Sequence, residues 1–396
     1  MARVLLVLPT ATYRAPDFLD AAARLGAEVV VGSEHRQAMS SSMGDRAVTL
    51  SLSRPELAAD QIERLAGRSP LDAIVAVDDG GTRAAALAAD RLGLRGNAPE
   101  AVARARDKAK MRAAFDQAGI QQPAWRVGSD PGAVGFPCVL KPLTRSGSQG
   151  VIRANTPEEA TAAAARIRAI LGDEDAELLV ERFAEGGEVA VEGLLQAGHL
   201  EVLAVFDKPD PLEGPYFEET IYVTPSRHRP EVLAQVHRLT AEAAKALGLS
   251  EGPIHAELRL GPPLSVLELA ARSIGGLCSR SLRFGLGVSL EELILRHALG
   301  LPLDHMRREE RASGVMMLPI PTAGVLKDVR GQHEARATEH IAGLEISIPR
   351  GRPVTPLPEG DRYLGFLFAK AETPEQVEAA LRQAHARLRI EIDRTH

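Results

Sequence analysis

Glu257 and Glu268 are the residues whose type and spacing say most about chemistry. They lie in the stretch 254–276, which reads IHAELRLGPPLSVLELAARSIGG. Ile254, Ala256, Leu258 and Leu260 alternate with His255, Glu257 and Arg259, the period of a half-buried strand. Gly261-Pro262-Pro263 breaks the run, and a second strand-like stretch covers 264–271. A turn centred on Pro262-Pro263 sets Glu257 directly opposite Glu268. Like charges opposed on one sheet face are destabilising. A divalent cation between them removes the repulsion, and carboxylates with phosphate oxygens are what Mg²⁺ takes. The plainer alternative is two glutamates splayed into water.

Cations and small residues supply a second constellation. The apolar run 136–140 (FPCVL) reads as a buried strand delivering Lys141-Pro142, and Leu143-Thr144-Arg145-Ser146-Gly147-Ser148-Gln149-Gly150 follows. Glycine-freed backbone N–H groups and hydroxyls suit a polyphosphate. This is no P-loop, because no G-K-[ST] follows the second glycine. A helix over about 100–118 carries Arg104, Arg106, Lys108, Lys110 and Arg112, and for any one of them a solvated surface position is the simpler expectation.

The elements that must position these groups begin with 3–8 (RVLLVL), a buried strand, then a helix over 16–25 and a strand over 27–31. That β–α–β opening favours a parallel sheet with right-handed crossovers. The turn Pro9-Thr10-Ala11-Thr12-Tyr13-Arg14 lacks G-x-G-x-x-G, which weakens a nicotinamide reading. A further strand, 73–77, leads to Asp78-Asp79-Gly80-Gly81-Thr82 and a helix over 83–92. Those loop residues fall either at a ligand-binding strand end or in a polar turn capping the helix. Strands are expected at 177–181, from Glu188, at 201–206, 217–226, 315–320, 344–348 and 362–370, with a helix over 231–247. Thr373-Pro374-Glu375-Gln376 has the capping-box pattern and opens a closing helix over 373–390.

The chain has 396 residues, enough for two or three domains with cores of their own. With 25% charged and 45% hydrophobic residues the composition is that of an ordinary globular protein. The net charge of −6 argues against non-specific nucleic-acid or anionic-membrane binding. The apolar run 4–8 is too short for a signal-peptide core, and no stretch reaches membrane-spanning length. A cytoplasmic protein is expected. Cys138 and Cys278 have no metal-ligand spacing and are expected to pack as small hydrophobes, as is Trp125. His255 is expected to hydrogen-bond beside the metal pair rather than to ligate, and His228 to sit in a surface turn.

In order along the chain stand Lys108 in a basic helix, Val-Leu-Lys141-Pro, the glycine-serine loop, Val180-Glu181-Arg182-Phe183-Ala184, Gly-Gly-Glu188, and the hairpin with Glu257 and Glu268. This order resembles the ATP-grasp superfamily over roughly 4–390. The resemblance implies an α/β and α+β chain. Its parts are an N-terminal Rossmann-like parallel sheet (1–100), a two-lobed ATP-grasp domain (101–300, small mobile lobe about 125–190) and a C-terminal β-rich lobe with a terminal helix (301–396). It implies ATP and Mg²⁺ or Mn²⁺ as cofactors. Lys108 and Lys141 match the phosphate-holding lysines, and Ser146, Gly147 and Ser148 belong to the mobile loop over the phosphates. Glu181 and Ala184 match the adenine hinge, Glu188 the ribose acid, and Glu257 and Glu268 the metal ligands. Arg272, on the strand face of Glu268, matches an arginine that meets an acyl-phosphate. One departure is Ala270, where many of these enzymes carry a metal-binding Asn.

Glu-Leu-Ala-Ala-Arg with His-Ala-Glu upstream looks most like the L-amino acid ligases. By that match Glu219 binds a substrate amino group, and Gly275 stands where a bulky side chain would narrow the pocket. The expected activity is an ATP-dependent carboxylate–amine ligase acting on small molecules, with dimerisation common in the superfamily. The alternatives are a bicarbonate-activating carboxylase of the purine-biosynthesis or biotin type and an inactive ATP-binding module.

Overall fold

A computed structural model of the chain describes residues 1–10, 12–36, 43–304 and 306–394, so Ala11 of the first turn lies outside the described residues. Strand Arg3–Leu8 is buried along its whole length and pairs in parallel with Glu28–Ser33 and Ala73–Ala76. With Ala47–Thr49 these make the expected parallel sheet. Gly81 packs with its Cα over Val7, where a Cβ would come within 2.7 Å of Val7 Cγ1. The helix behind Ala73–Ala76 begins earlier than expected, at Asp79, and runs to Leu92. The run 78–82 is therefore its entry and first turn.

The basic segment is two helices, Pro99–Arg106 and Lys108–Ala118, rather than one. Asp107 adopts extended backbone between them, and its carboxylate accepts from Ala109 N and Lys110 N at 3.0 and 3.1 Å. Satisfying those otherwise orphaned donors is what a capping aspartate does. Sequence periodicity runs through the break because both helices bury the same side.

A sheet of strands Trp125–Val127, Leu178–Arg182, Cys138–Pro142 and Ile152–Ala154, backed by helix Pro157–Leu171, forms a small lobe with its own apolar core. An eight-stranded antiparallel sheet makes the larger body. Its edge is the hairpin Gly252–Arg259 and Ser265–Ala270; strands Glu188–Gln196, His199–Lys208 and Ile221–Thr224 follow. Ala312–Leu318, Gly365–Ala371 and Ile341–Ile346 continue the same sheet, so hydrogen bonding runs unbroken past position 300. Only Ile221–Thr224 of the expected strand 217–226 is regular.

The closing helix is shorter than expected. It spans Pro374–His385 with a full capping box between Thr373 and Gln376. The chain then turns into strand Arg389–Asp393, paired with Gly324–Arg330. The alternation of Arg389, Ile390, Glu391, Ile392 and Asp393 has strand period. Among the described residues no helix is long and apolar enough to cross a membrane.

Candidate active site

The hairpin sets Glu257 opposite Glu268, but the turn alone does not: beside it Arg259 pairs with Ser265, one residue off the expected register. A bulge after Glu257 then shifts the register, pairing Leu258 with Val266 and leaving Leu267 as the extra residue. The two carboxylates serve different partners. Glu268 takes the ammonium of Lys108 at 3.3 Å, while Glu257 takes Lys208 at 3.2 Å and faces His255 Nε2 at 3.5 Å. The three carboxylates whose oxygens lie within 4.8 Å of one another are Glu188, Glu219 and Glu257.

Lys208 fills the centre of that cluster. It is 3% exposed at the side chain and meets Glu188 at 2.5 Å, Glu219 at 2.6 Å and Glu257 at 3.2 Å. Burial raises the Glu219 carboxyl above its ordinary range, and the neighbouring Glu257 adds to the rise. Glu257 is driven the other way despite its burial, because Lys208 and His255 hold it ionised. The two neighbouring carboxyls are thus pushed in opposite directions. Carboxylate oxygens are what a hard cation such as Mg²⁺ takes, but here the Lys208 ammonium occupies the centre of these three, and Glu268 stands outside the group. His255 is buried against Glu192, and despite the cost of burial its two carboxylate neighbours raise its pKa to about 9.

The strand Cys138–Pro142 carries Lys141 onto Glu181, at 2.5 Å. Glu181 also takes Arg112 Nε at 2.6 Å. Burial works to raise this carboxyl, yet the two cations hold it down to about 2. Arg112 is fully buried and also donates to the carbonyls of Val266 and Leu267. The basic segment is therefore mostly internal. Arg104 donates to Leu247 O, Arg106 to Asp79 O and Lys108 to Arg145 O; Lys110 alone of the five stands exposed. Arg112→Ala leaves Glu181 paired with Lys141 but strips the Val266 and Leu267 carbonyls of a donor, and is expected to cost about 1–3 kcal/mol, read by urea unfolding. Because the folded pKa of Glu181 is depressed, its stabilising contribution is present above about 4.5 and is lost as pH falls towards 2. Glu181→Gln is expected to flatten the acid limb of stability between those values.

These groups surround a single cavity of about 430 Å³. Lys108, Lys141, Ser146, Gly147, Ser148, Glu181, Ala184, Glu188, Glu219, Glu257, Glu268, Arg272 and Gly275 all line it. The glycine-serine loop crosses its mouth, anchored by Gly150 N to Pro358 O and by the Gln149 amide to Glu359 O. Gly150 has φ +71°, and a Cβ there would stand 2.9 Å from Pro142 Cγ. Arg272 departs from expectation. The strand ends at Ala270, so Arg272 lies beyond the sheet, where Asp79 takes its Nε at 2.8 Å. Gly275 has open space beside it, whereas a Cβ at Gly276, where φ is +59°, would stand 2.8 Å from Phe366 Cε1.

Sequence reasoning did not find Lys208, Glu192 or Arg259, and it marked Asp79 only as part of a loop at a strand end. Arg259 pairs with Glu188 at 3.0 Å, and fully buried Glu192 takes His255 Nδ1 at 2.5 Å and Ile274 N at 3.1 Å. The available signal was a charged residue inside a mostly apolar strand, Glu192 in EVAVEGLLQ; Lys208, at the end of HLEVLAVFDK, carried none. His228 sits in an exposed turn, 3.8 Å from Asp207. Cys138 and Cys278 are buried; burial pushes the Cys138 thiol up to about 11 and that of Cys278 further. Both pack as small apolar groups.

Residues 134–281 match the family model for the ATP-grasp domain, residues 19–96 that for the ATP-grasp N-terminal domain, and residues 316–393 that for the L-amino acid ligase C-terminal domain 2. The chain thus carries an ATP-grasp domain with these two further domains on either side. Its fold is similar to that of an L-amino acid ligase from Bacillus licheniformis, with TM-score 0.81 and 24% identity over 99% of both chains. It is similar also to N5-carboxyaminoimidazole ribonucleotide synthetase from Thermotoga maritima, with TM-score 0.74 and 16% identity over 99% of this chain and 100% of that one. The alanine–anticapsin ligase of Bacillus subtilis is 28% identical over 271 residues, 61% of this chain. This ATP-grasp chain spans 56% of that relative's length in the match.

Proposed function

We propose that this ATP-grasp protein is an ATP-dependent carboxylate–amine ligase. It activates a carboxylate, an amino acid in the favoured reading, as an acyl-phosphate and joins it to an amine, releasing ADP and phosphate. The observation that carries the reading is the convergence of Lys108, Lys141, the hairpin carboxylates and Arg272 on one cavity. The ligase names of the relatives and the ligase C-terminal family model support it.

In this reading Lys108, Lys141 and the loop Ser146-Gly147-Ser148 hold the phosphates, and Glu181, Ala184 and Glu188 line the nucleoside side. Glu257 and Glu268 would hold Mg²⁺ or Mn²⁺, with Glu219 close enough to Glu257 to share it or to receive the amino group of a substrate. When bound, the metal neutralises the charge on the phosphates. Lys141, fixed by Glu181, presents its ammonium to the transferring phosphoryl group, where positioning and electrostatics do most of the work. Arg272 steadies the oxyanion formed when the amine attacks. The closed loop keeps water away from the acyl-phosphate.

The test is ATP turnover with Mg²⁺, with and without amino-acid pools and bicarbonate, with nucleotides resolved by chromatography and products by mass. ADP, phosphate and a new amide mass appearing only with amino acids is the expected result. Bicarbonate dependence without amide would move the assignment to a carboxylase, and AMP with pyrophosphate would remove the acyl-phosphate step.

A further inference from the structure

Arg272 is not held by the sheet that carries the metal hairpin. Its strand stops at Ala270, and the guanidinium is gripped instead by the N-terminal parallel-sheet unit. Asp79, in the first turn of helix Asp79–Leu92, accepts from Nε at 2.8 Å, while Nη1 donates to the carbonyl of Ser273 at 2.9 Å. Among the described residues Nη2 has no protein partner, and Arg272 faces the cavity. Asp79 is itself fixed, because Arg106 donates to its carbonyl oxygen. A second tether from the same unit reaches the next residue. Fully buried Arg14 donates to Ser273 Oγ at 2.8 Å and pairs with Glu291 at 3.0 Å.

We infer that Asp79 is a positioning residue for Arg272, so that the N-terminal unit completes the active site rather than merely flanking it. Two of the three guanidinium nitrogens are engaged, which fixes the plane of the group and aims the third at the reacting carbonyl. The other charged groups facing Arg272 are Asp78 and Glu268, and Arg106 and Lys108 face Asp79. Arg272 keeps its charge at any working pH, since Asp79 raises its pKa despite burial. The inference rests on the ligase reading only for the step that Arg272 serves.

The test is a double-mutant cycle on the full chain, with steady-state kcat and KM measured for amide formation. Asp79→Ala is expected to lower kcat about 10²-fold, the loss typical of a misaimed catalytic group, with KM for ATP unchanged. Arg272→Ala alone is expected to lower kcat about 10³-fold, and adding Asp79→Ala to it to lower kcat no further. Asp79→Asn, which keeps an acceptor oxygen for Nε, is expected to recover most of the loss. Losses that multiply in the double variant, or an Asp79→Ala effect confined to thermal stability, would overturn the proposal.

A readout without turnover separates this inference from the ligase reading. In ¹⁵N-arginine-labelled protein, the Arg272 Nε–H resonance, assigned by its absence in Arg272→Lys, is expected to be protected from solvent exchange and to lose that protection in Asp79→Ala. Protection that survives in Asp79→Ala overturns the inference even if the ligase activity is established. Wild-type protein that forms no amide overturns the ligase reading and leaves the exchange result to decide Asp79.

Discussion

Lys208→Met is expected to make the stability of this protein depend on a divalent cation. In the wild type a single ammonium, almost wholly buried, lies among Glu188, Glu219 and Glu257, whose oxygens approach within 4.8 Å of one another. Methionine fills similar volume without charge, and leaves those carboxylates unneutralised. Breaking a buried ion cluster from one side costs about 3–5 kcal/mol. Arg259, 3.0 Å from Glu188, and His255, 3.5 Å from Glu257, compensate in part. A cation binding the vacated oxygens restores stability by mass action, about 2.7 kcal/mol at a hundred times its dissociation constant. Thermal unfolding with EDTA and with rising Mg²⁺ checks this. The wild type should respond weakly and the variant strongly. A variant as stable as wild type in EDTA would show that Lys208 does not neutralise the cluster.

Lys141→Met is expected to lower turnover sharply with the fold intact. Glu181 is shared by Lys141 and Arg112, so removing the lysine still leaves the buried carboxylate paired, at 2.6 Å, with Arg112. The cost therefore falls on phosphate binding and phosphoryl transfer. Losing one preorganised donor to developing charge lowers kcat about 10²–10³-fold. Under the ligase reading, Lys141→Met should show that loss in kcat and a weaker ATP-induced rise in unfolding temperature, with the unliganded unfolding temperature nearly unchanged. Equal turnover in the two proteins would remove Lys141 from the phosphate site.

The contrast between these two lysines shows what a sequence discloses. Lys141 was legible because its strand and the glycine-serine loop are contiguous, and local order alone places them together. Lys208 was not, since its three carboxylate partners sit on different strands and one loop of an antiparallel sheet. Nothing in the local pattern of HLEVLAVFDK marks its last residue as more than a strand end. Arg112 read as a surface cation for a related reason. Periodicity cannot distinguish a solvated helix face from one roofed by another lobe, and only the packing of helix Lys108–Ala118 against strands Leu178–Arg182 and Ser265–Ala270 buries it.

By itself, then, the sequence determined what short-range physics controls. That covers the parallel β–α–β opening, the capping box at Thr373 and the hairpin, whereas the bulge at Leu267 that brings Glu257 across from Glu268 was not legible. Alternation and turn chemistry act over a few residues and survive any tertiary context. Tertiary structure alone decided which charges are partners: Glu268 with Lys108, Glu257 with Lys208 and His255, Arg272 with Asp79. Desolvation makes those choices, because a charge buried between elements distant in sequence must find its counter-charge wherever the packed elements bring one within reach.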